Sequence, residues 1–204
     1  MPRSDSLSAQ RNRTRIAQTA ARLIAEHGLA DWTAAKRKAC RELGFSERDA
    51  LPGNDEIEQA LRDYNSLFRP AAHAASLRRQ RETALRWMER LSAWNPVLVG
   101  GVAAGWATDH SDVRLELEAE DPKVVELALI NAGVEYSTPR SDRDVGAPAQ
   151  LMLERTDCPV RLVVLSPPQR RNRSRRDEDG RMTLGELKSL LSADAPGEGP
   201  LAAR

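Results

Sequence analysis

The stretch from Val97 to Leu117 holds the residues whose types and spacing most suggest chemistry. Gly100 and Gly101 end a short apolar run, Val97-Leu98-Val99. Small residues at such a turn let backbone N–H groups approach a phosphate chain. Further on, Ser111 to Leu117 alternates, with Val113, Leu115 and Leu117 on one strand face and Asp112, Arg114 and Glu116 on the other. Carboxylates two apart on a strand share a face and can hold a divalent metal, which activates an attacking group and neutralises a leaving phosphate. Here the residue between the two acids is Arg114. Two unit charges about 4 Å apart interact by roughly 4 kcal/mol at an effective dielectric of about 20, so Arg114 opposes a metal ion. Residue types alone also permit a plainer reading, a tight turn followed by a solvated strand face.

The elements that must position these residues fall into two patterns. From Arg11 to His27 the apolar residues Ile16, Ala17, Ala20, Ala21, Leu23 and Ile24 recur at helical spacing, and Gly28 is placed for a C-terminal cap. A second helix over about Thr33–Leu43 ends in the same way at Gly44. Asn54 or Asp55 can cap a third, with Ile57, Leu61, Tyr64 and Phe68 on one side. A long helix follows Pro70 and runs to about Trp94. After Asn95-Pro96 the pattern becomes β-like. Pro122 opens a helix that stops at Gly133, residues 137–148 read as a charged loop, and 149–154 with 160–165 read as an antiparallel hairpin turning around Asp157. Pro167-Pro168 is expected to close the folded region, followed by a solvated tract from Gln169 to Arg181. Thr183 and Glu186 have the spacing of a capping box for a final helix bearing Leu184, Leu187, Leu190 and Leu191.

Gly100, Gly105, Ser111 and Asp112 fall, without a gap, in register with the signature of the nucleotidyltransferase superfamily, which the segment resembles. In that family a Gly-Ser pair ends the first strand, Ser-Asp-x-Asp lies on the second, and a third carboxylate comes from a later neighbouring strand. Gly101 stands here for the serine, Arg114 for the second carboxylate, and Arg161 at the expected place of the third. The resemblance spans about Val97 to Leu165. It implies a phosphate turn at Gly100 and Gly101, with Ser111, Arg114 and Arg161 as further phosphate- or nucleotide-binding residues. If transfer survives, it implies Mg²⁺ on Asp112 with Glu116 as substitute acid. With two acids replaced by cations, the site would sooner hold an anion directly, without metal. The whole chain also resembles a group of short bacterial proteins, through Arg15 to Leu23, Ala35 to Ala39, Leu51 to Leu61 and Pro159 to Val163. Some of these carry the label UDP-N-acetylmuramate–alanine ligase. The residues do not support that activity: there is no GxxxxGK[ST] phosphate loop, and a three-domain ligase needs a longer chain.

Other side chains invite competing readings. The opening helix is similar to the first helix of TetR-type repressors, and Lys36, Arg37, Lys38 and Arg41 on the second could meet nucleic-acid phosphates. A helix-turn-helix needs a short turn before its recognition helix, whereas a long, proline-interrupted acidic segment follows Gly44. The basic cluster Arg170, Arg171, Arg173, Arg175 and Arg176 is followed at once by Asp177, Glu178 and Asp179 and reads as a solvated linker. His27, His73 and His110 lack metal-ligand spacing. His27 suits a helix C-terminus, and His110 adjoins Ser111-Asp112. Trp87 and Trp94, seven apart, read as core.

Charged residues make up 30% of the 204 residues and aromatics 4%, which is polar but within the range of a globular chain. The net charge of +1 is unevenly spread. Lys and Arg number 17 against 12 acids over residues 1–95, 6 against 12 over 96–166, and 8 against 6 over 167–204. Two distant cysteines, Cys40 and Cys158, suit a reducing compartment. No secretory leader and no run of about 20 apolar residues is present, so a cytoplasmic protein without a membrane partner is expected. The expected fold is α+β, an N-terminal helical module packed on a small mixed nucleotidyltransferase-like sheet. Its expected parts are a disordered stretch 1–10, a helical module 11–95, a core 96–166, a basic linker 167–182, a helix 183–192 and a disordered tail 193–204. The expected function is binding of a nucleotide or other phosphorylated partner by a degenerate transferase. The alternatives are a nucleic-acid-binding or regulatory module using basic helices within 11–43, and an active Mg²⁺-dependent nucleotidyltransferase.

Overall fold

The computed structural model describes residues 3–29, 31–46, 51–139, 147–153, 155–172 and 180–194. The expected tail beyond Asp194 and most of the arginine cluster after Asn172 lie outside them. The chain forms two compact units, residues 1–77 with 104–111, and residues 78–103 with 112–204. The division differs from the expected boundary at 95/96, because it falls within a helix and gives 104–111 to the helical unit.

The helical unit contains α1 (Arg3–His27), α2 (Trp32–Leu43), α3 (Asn54–Phe68) and the start of α4 (Pro70–Arg90). Helix α1 begins at Arg3, so residues 3–10 are helical where a loose segment was expected. The expected apolar faces meet except at the end of α3, where Phe68 is exposed. Ile16, Ala20, Leu23 and Ile24 of α1, Ala35, Ala39 and Cys40 of α2, and Ile57 and Leu61 of α3 form one buried cluster. Burying each of Ile16, Leu23, Ile24, Ile57 and Leu61 contributes about 1.5–3 kcal/mol. Local signals set the helix ends. The Asp31 carboxylate accepts from the Thr33 N–H at 2.8 Å, and Gly44 takes φ +68°, a left-handed cap suited to glycine. At α3 the cap is Gly53, whose N–H donates to Glu56 Oε2 at 2.7 Å. Asn54, an expected cap, instead accepts from Lys36 Nζ at 2.9 Å.

The second unit is built on a five-stranded sheet of order β3-β4-β2-β1-β5. Its strands are β1 (Val97–Val99), β2 (Val113–Glu118), β3 (Ala149–Leu153), β4 (Val160–Leu165) and β5 (Arg181–Met182). β2 and β4 run parallel and the other neighbours antiparallel, so the sheet is mixed as expected. The four-residue helix α5 (Gly101–Ala104) follows β1 in the chain. Between β2 and the β3–β4 hairpin comes α6 (Pro122–Asn131), capped by the Asp121 side chain on the Lys123 N–H with Pro122 in its first turn. Period-two alternation holds on β2, where Val113, Leu115 and Leu117 are fully buried.

Pro167-Pro168 does not close the fold. It opens the short helix α7 (Pro167–Arg171), and β5 adds a fifth strand beside β1. The expected linker 167–182 therefore contributes a helix and an edge strand. Thr183 and Glu186 form the expected capping box of α8 (Leu184–Ala193). Helix α4 ends at Arg90, and a single 3-10 turn over Ser92–Trp94 follows where the helix was expected to continue. Among the described residues no helix is long and apolar enough to cross a membrane.

Candidate anion-binding face

One row crosses the sheet of the second unit. In register order it comprises Met152 of β3, Arg161 of β4, Arg114 of β2, Val99 of β1 and Arg181 of β5. Residues in register across neighbouring strands project to the same face, so three arginines share it. At a strand spacing of about 4.8 Å, Arg161 and Arg114 are neighbours and Arg181 lies two spacings beyond Arg114. The face is also that of Asp112, Glu116 and Glu118, by alternation along β2.

Each of these acids is taken by an arginine. Arg161 donates from Nε to Asp112 Oδ2, and its Nη1 donates to Gln150 Oε1 at 3.1 Å. Arg181 Nη1 donates to Glu116 Oε2 at 2.8 Å, and the Glu116 side chain is only 1% exposed. Arg170 of α7 stands 3.2 Å from Glu118 Oε2 and also donates to the Asn95 carbonyl at 3.0 Å. Three carboxylates thus meet four guanidiniums. The fourth is Arg114, which is exposed and has no ion-pair partner among the described residues. A guanidinium is always charged and offers a planar fork of donors suited to phosphate, so Arg114 is where this face can take up an anion.

The sequence placed Asp112, Arg114, Glu116 and Arg161 on one face, with Arg161 on the strand next to β2, and the structure brings these four together there. The phosphate turn is arranged differently. Gly100 has φ +75°, and its N–H donates to the Gly180 carbonyl at 3.0 Å, so that amide is used inside the sheet edge. A Cβ at Gly100 would meet nothing within 4 Å, so its backbone conformation, not crowding, calls for glycine. Gly101 is the first residue of α5. Ser111 belongs to the helical unit, where its Oγ accepts from the Thr108 N–H at 2.9 Å. That bond turns the hydroxyl to a local role. Among the described residues no group of three or more His, Cys, Asp or Glu side chains could hold a metal ion.

In the helical unit, the four basic residues of α2 are not equivalent. Lys36 is bound to Asn54, whereas Arg37 and Arg41, one turn apart, are exposed. Ten residues separate the end of α2 from α3, too many for the tight turn of a helix-turn-helix. His110 packs over Gly28, where an added Cβ would lie 2.8 Å from its Cγ. Nearby, Asp109 pairs with Arg69 at 2.7 Å, and the Ser76 hydroxyl followed by Arg69 holds its carboxyl below the usual range.

Sequence reasoning missed Arg181, Gln150 and Glu118. Alternation extended by one residue along β2 would have reached Glu118, and the same step on β3 would have reached Gln150. Arg181 carried no signal, because its strand has only two residues and its partner lies 65 positions away. No family model, no curated protein and no solved structure matches this chain.

Proposed function

We propose that this chain is a degenerate nucleotidyltransferase-like protein that holds a nucleotide or other phosphorylated small molecule on its arginine face, without a metal and without transferring it. One observation carries the reading: Asp112, Glu116 and Glu118 are each paired with an arginine, while Arg114 stands exposed beside Arg161 on the same face. Two-metal chemistry needs free carboxylates that converge on one point. Here the acids are separately paired, and Arg114 adds a positive charge where the family would place a metal ligand. Phosphate oxygens, by contrast, suit adjacent guanidiniums, which can each give two parallel N–H donors. Location in a reducing compartment such as the cytoplasm is part of this proposal and is supported by the low cysteine count, with Cys40 and Cys158 far apart in the sequence and both buried.

The test is calorimetric titration of the protein with ATP, CTP and inorganic pyrophosphate, in EDTA and again in Mg²⁺. Binding is expected in EDTA, with Arg114→Ala weakening it about tenfold or more, the scale for losing a hydrogen bond to a charged group. Absence of binding at millimolar ligand would overturn the proposal. Binding that requires Mg²⁺ and disappears in Asp112→Ala would overturn it in favour of an active transferase. Salt-sensitive binding of nucleic acid that is lost on neutralising Lys36, Arg37, Lys38 and Arg41, with no binding of the small phosphates, would replace it with the helical-module reading.

A further inference from the structure

Arg161 is the natural second ligand for an anion on Arg114, since the two are in register on adjacent parallel strands. Its donor fork is already partly used. The Nε edge meets Asp112 Oδ2, and Nη1 meets Gln150. The Asp112 and Arg161 side chains are 26% and 27% exposed, so solvent, and hence a ligand, reaches the pair. A carboxylate seated on the Nε edge makes the same kind of charge-assisted contact as a phosphate oxygen would.

Resting on the proposed anion site, we infer that Asp112 is an intramolecular competitor for Arg161: an incoming phosphate engages Arg114 and gains the Nε edge of Arg161 by displacing the Asp112 carboxylate. Asp112 then sets the affinity of the site by opposing the ligand. In a metal-dependent transferase its role would have the reverse sign, because there the carboxylate holds the metal that holds the phosphate. The size of the opposition follows from the exposure of the pair. Partly exposed ion pairs are weak, so releasing Arg161 is expected to tighten binding about fivefold.

The experiment titrates inorganic pyrophosphate in EDTA into wild type, Asp112→Asn, Asp112→Ala, Arg161→Met and the double variant Asp112→Asn/Arg161→Met. Both Asp112 variants should bind about fivefold more tightly than wild type. In the Arg161→Met background, Asp112→Asn should change the affinity by less than twofold. A purely structural role for Asp112 would move affinity whether or not Arg161 is present. If wild type binds pyrophosphate and neither Asp112 variant binds more tightly, the competitor inference fails while the anion site stands. If no variant binds at all, the anion site itself fails.

Discussion

Replacing Arg181 with alanine removes the guanidinium that faces the most buried acid of the sheet. Glu116 is 1% exposed and bonded to Arg181 at 2.8 Å. Breaking a buried ion pair from one side typically costs about 3–5 kcal/mol, because a charge is left in poor surroundings. The Arg181 side chain is itself 23% exposed, so water can enter and soften the loss. The expected destabilisation of Arg181→Ala is therefore about 2–3.5 kcal/mol at pH 7. Urea unfolding followed by far-ultraviolet circular dichroism at pH 7 measures it. Adding Glu116→Gln to Arg181→Ala should restore most of the lost stability, because the charge that Arg181 offset is then removed with it. A cost under about 1 kcal/mol, or one that Glu116→Gln does not reverse, would refute the argument that Arg181 stabilises the Glu116 charge.

Two further outcomes concern the helical unit. Gly28 and Gly44 have nearly equal backbone angles, φ +65° and +68°, but a Cβ at Gly44 meets nothing within 4 Å while one at Gly28 lies 2.8 Å from His110 Cγ. Gly44→Ala should cost the backbone term alone, about 1–2 kcal/mol. Gly28→Ala should cost more, and the excess should vanish in Gly28→Ala/His110→Ala, as thermal unfolding will show. Glu56 is held below the ordinary carboxyl range by the Arg13 side chain and then by the Gly53 N–H, and Asp109 by Ser76 and then Arg69. A depressed carboxyl contributes stability that is present above the unfolded value of about 4 and is lost as pH falls through the folded one. Stability should therefore decline below about pH 4, and Glu56→Gln or Asp109→Asn should flatten that decline in acid titrations.

What the sequence determined by itself was local. Ile16, Leu23, Ile57 and Leu61 recur at helical spacing and are buried together, and Val113, Leu115 and Leu117 alternate and line one face. Thr183 and Glu186 cap a helix across three residues. Such patterns are legible because the period of a helix or strand decides which residues share a face without reference to the rest of the chain. Alternation likewise placed Asp112, Arg114 and Glu116 together, while only the family resemblance suggested Arg161 on a neighbouring strand. The identity of each partner was decided only in the tertiary structure. Asp112 meets Arg161 across 49 positions and Glu116 meets Arg181 across 65. The Gly100 amide goes to Gly180 instead of standing free at a phosphate turn. A two-residue strand such as β5 has no period to read, and it exists because β1 offers it an unpaired edge. Periodicity says where a side chain points, whereas register between distant strands says what it meets. For this chain that difference separates a row of acids open to metal from a face on which three acids are neutralised and Arg114 is left exposed.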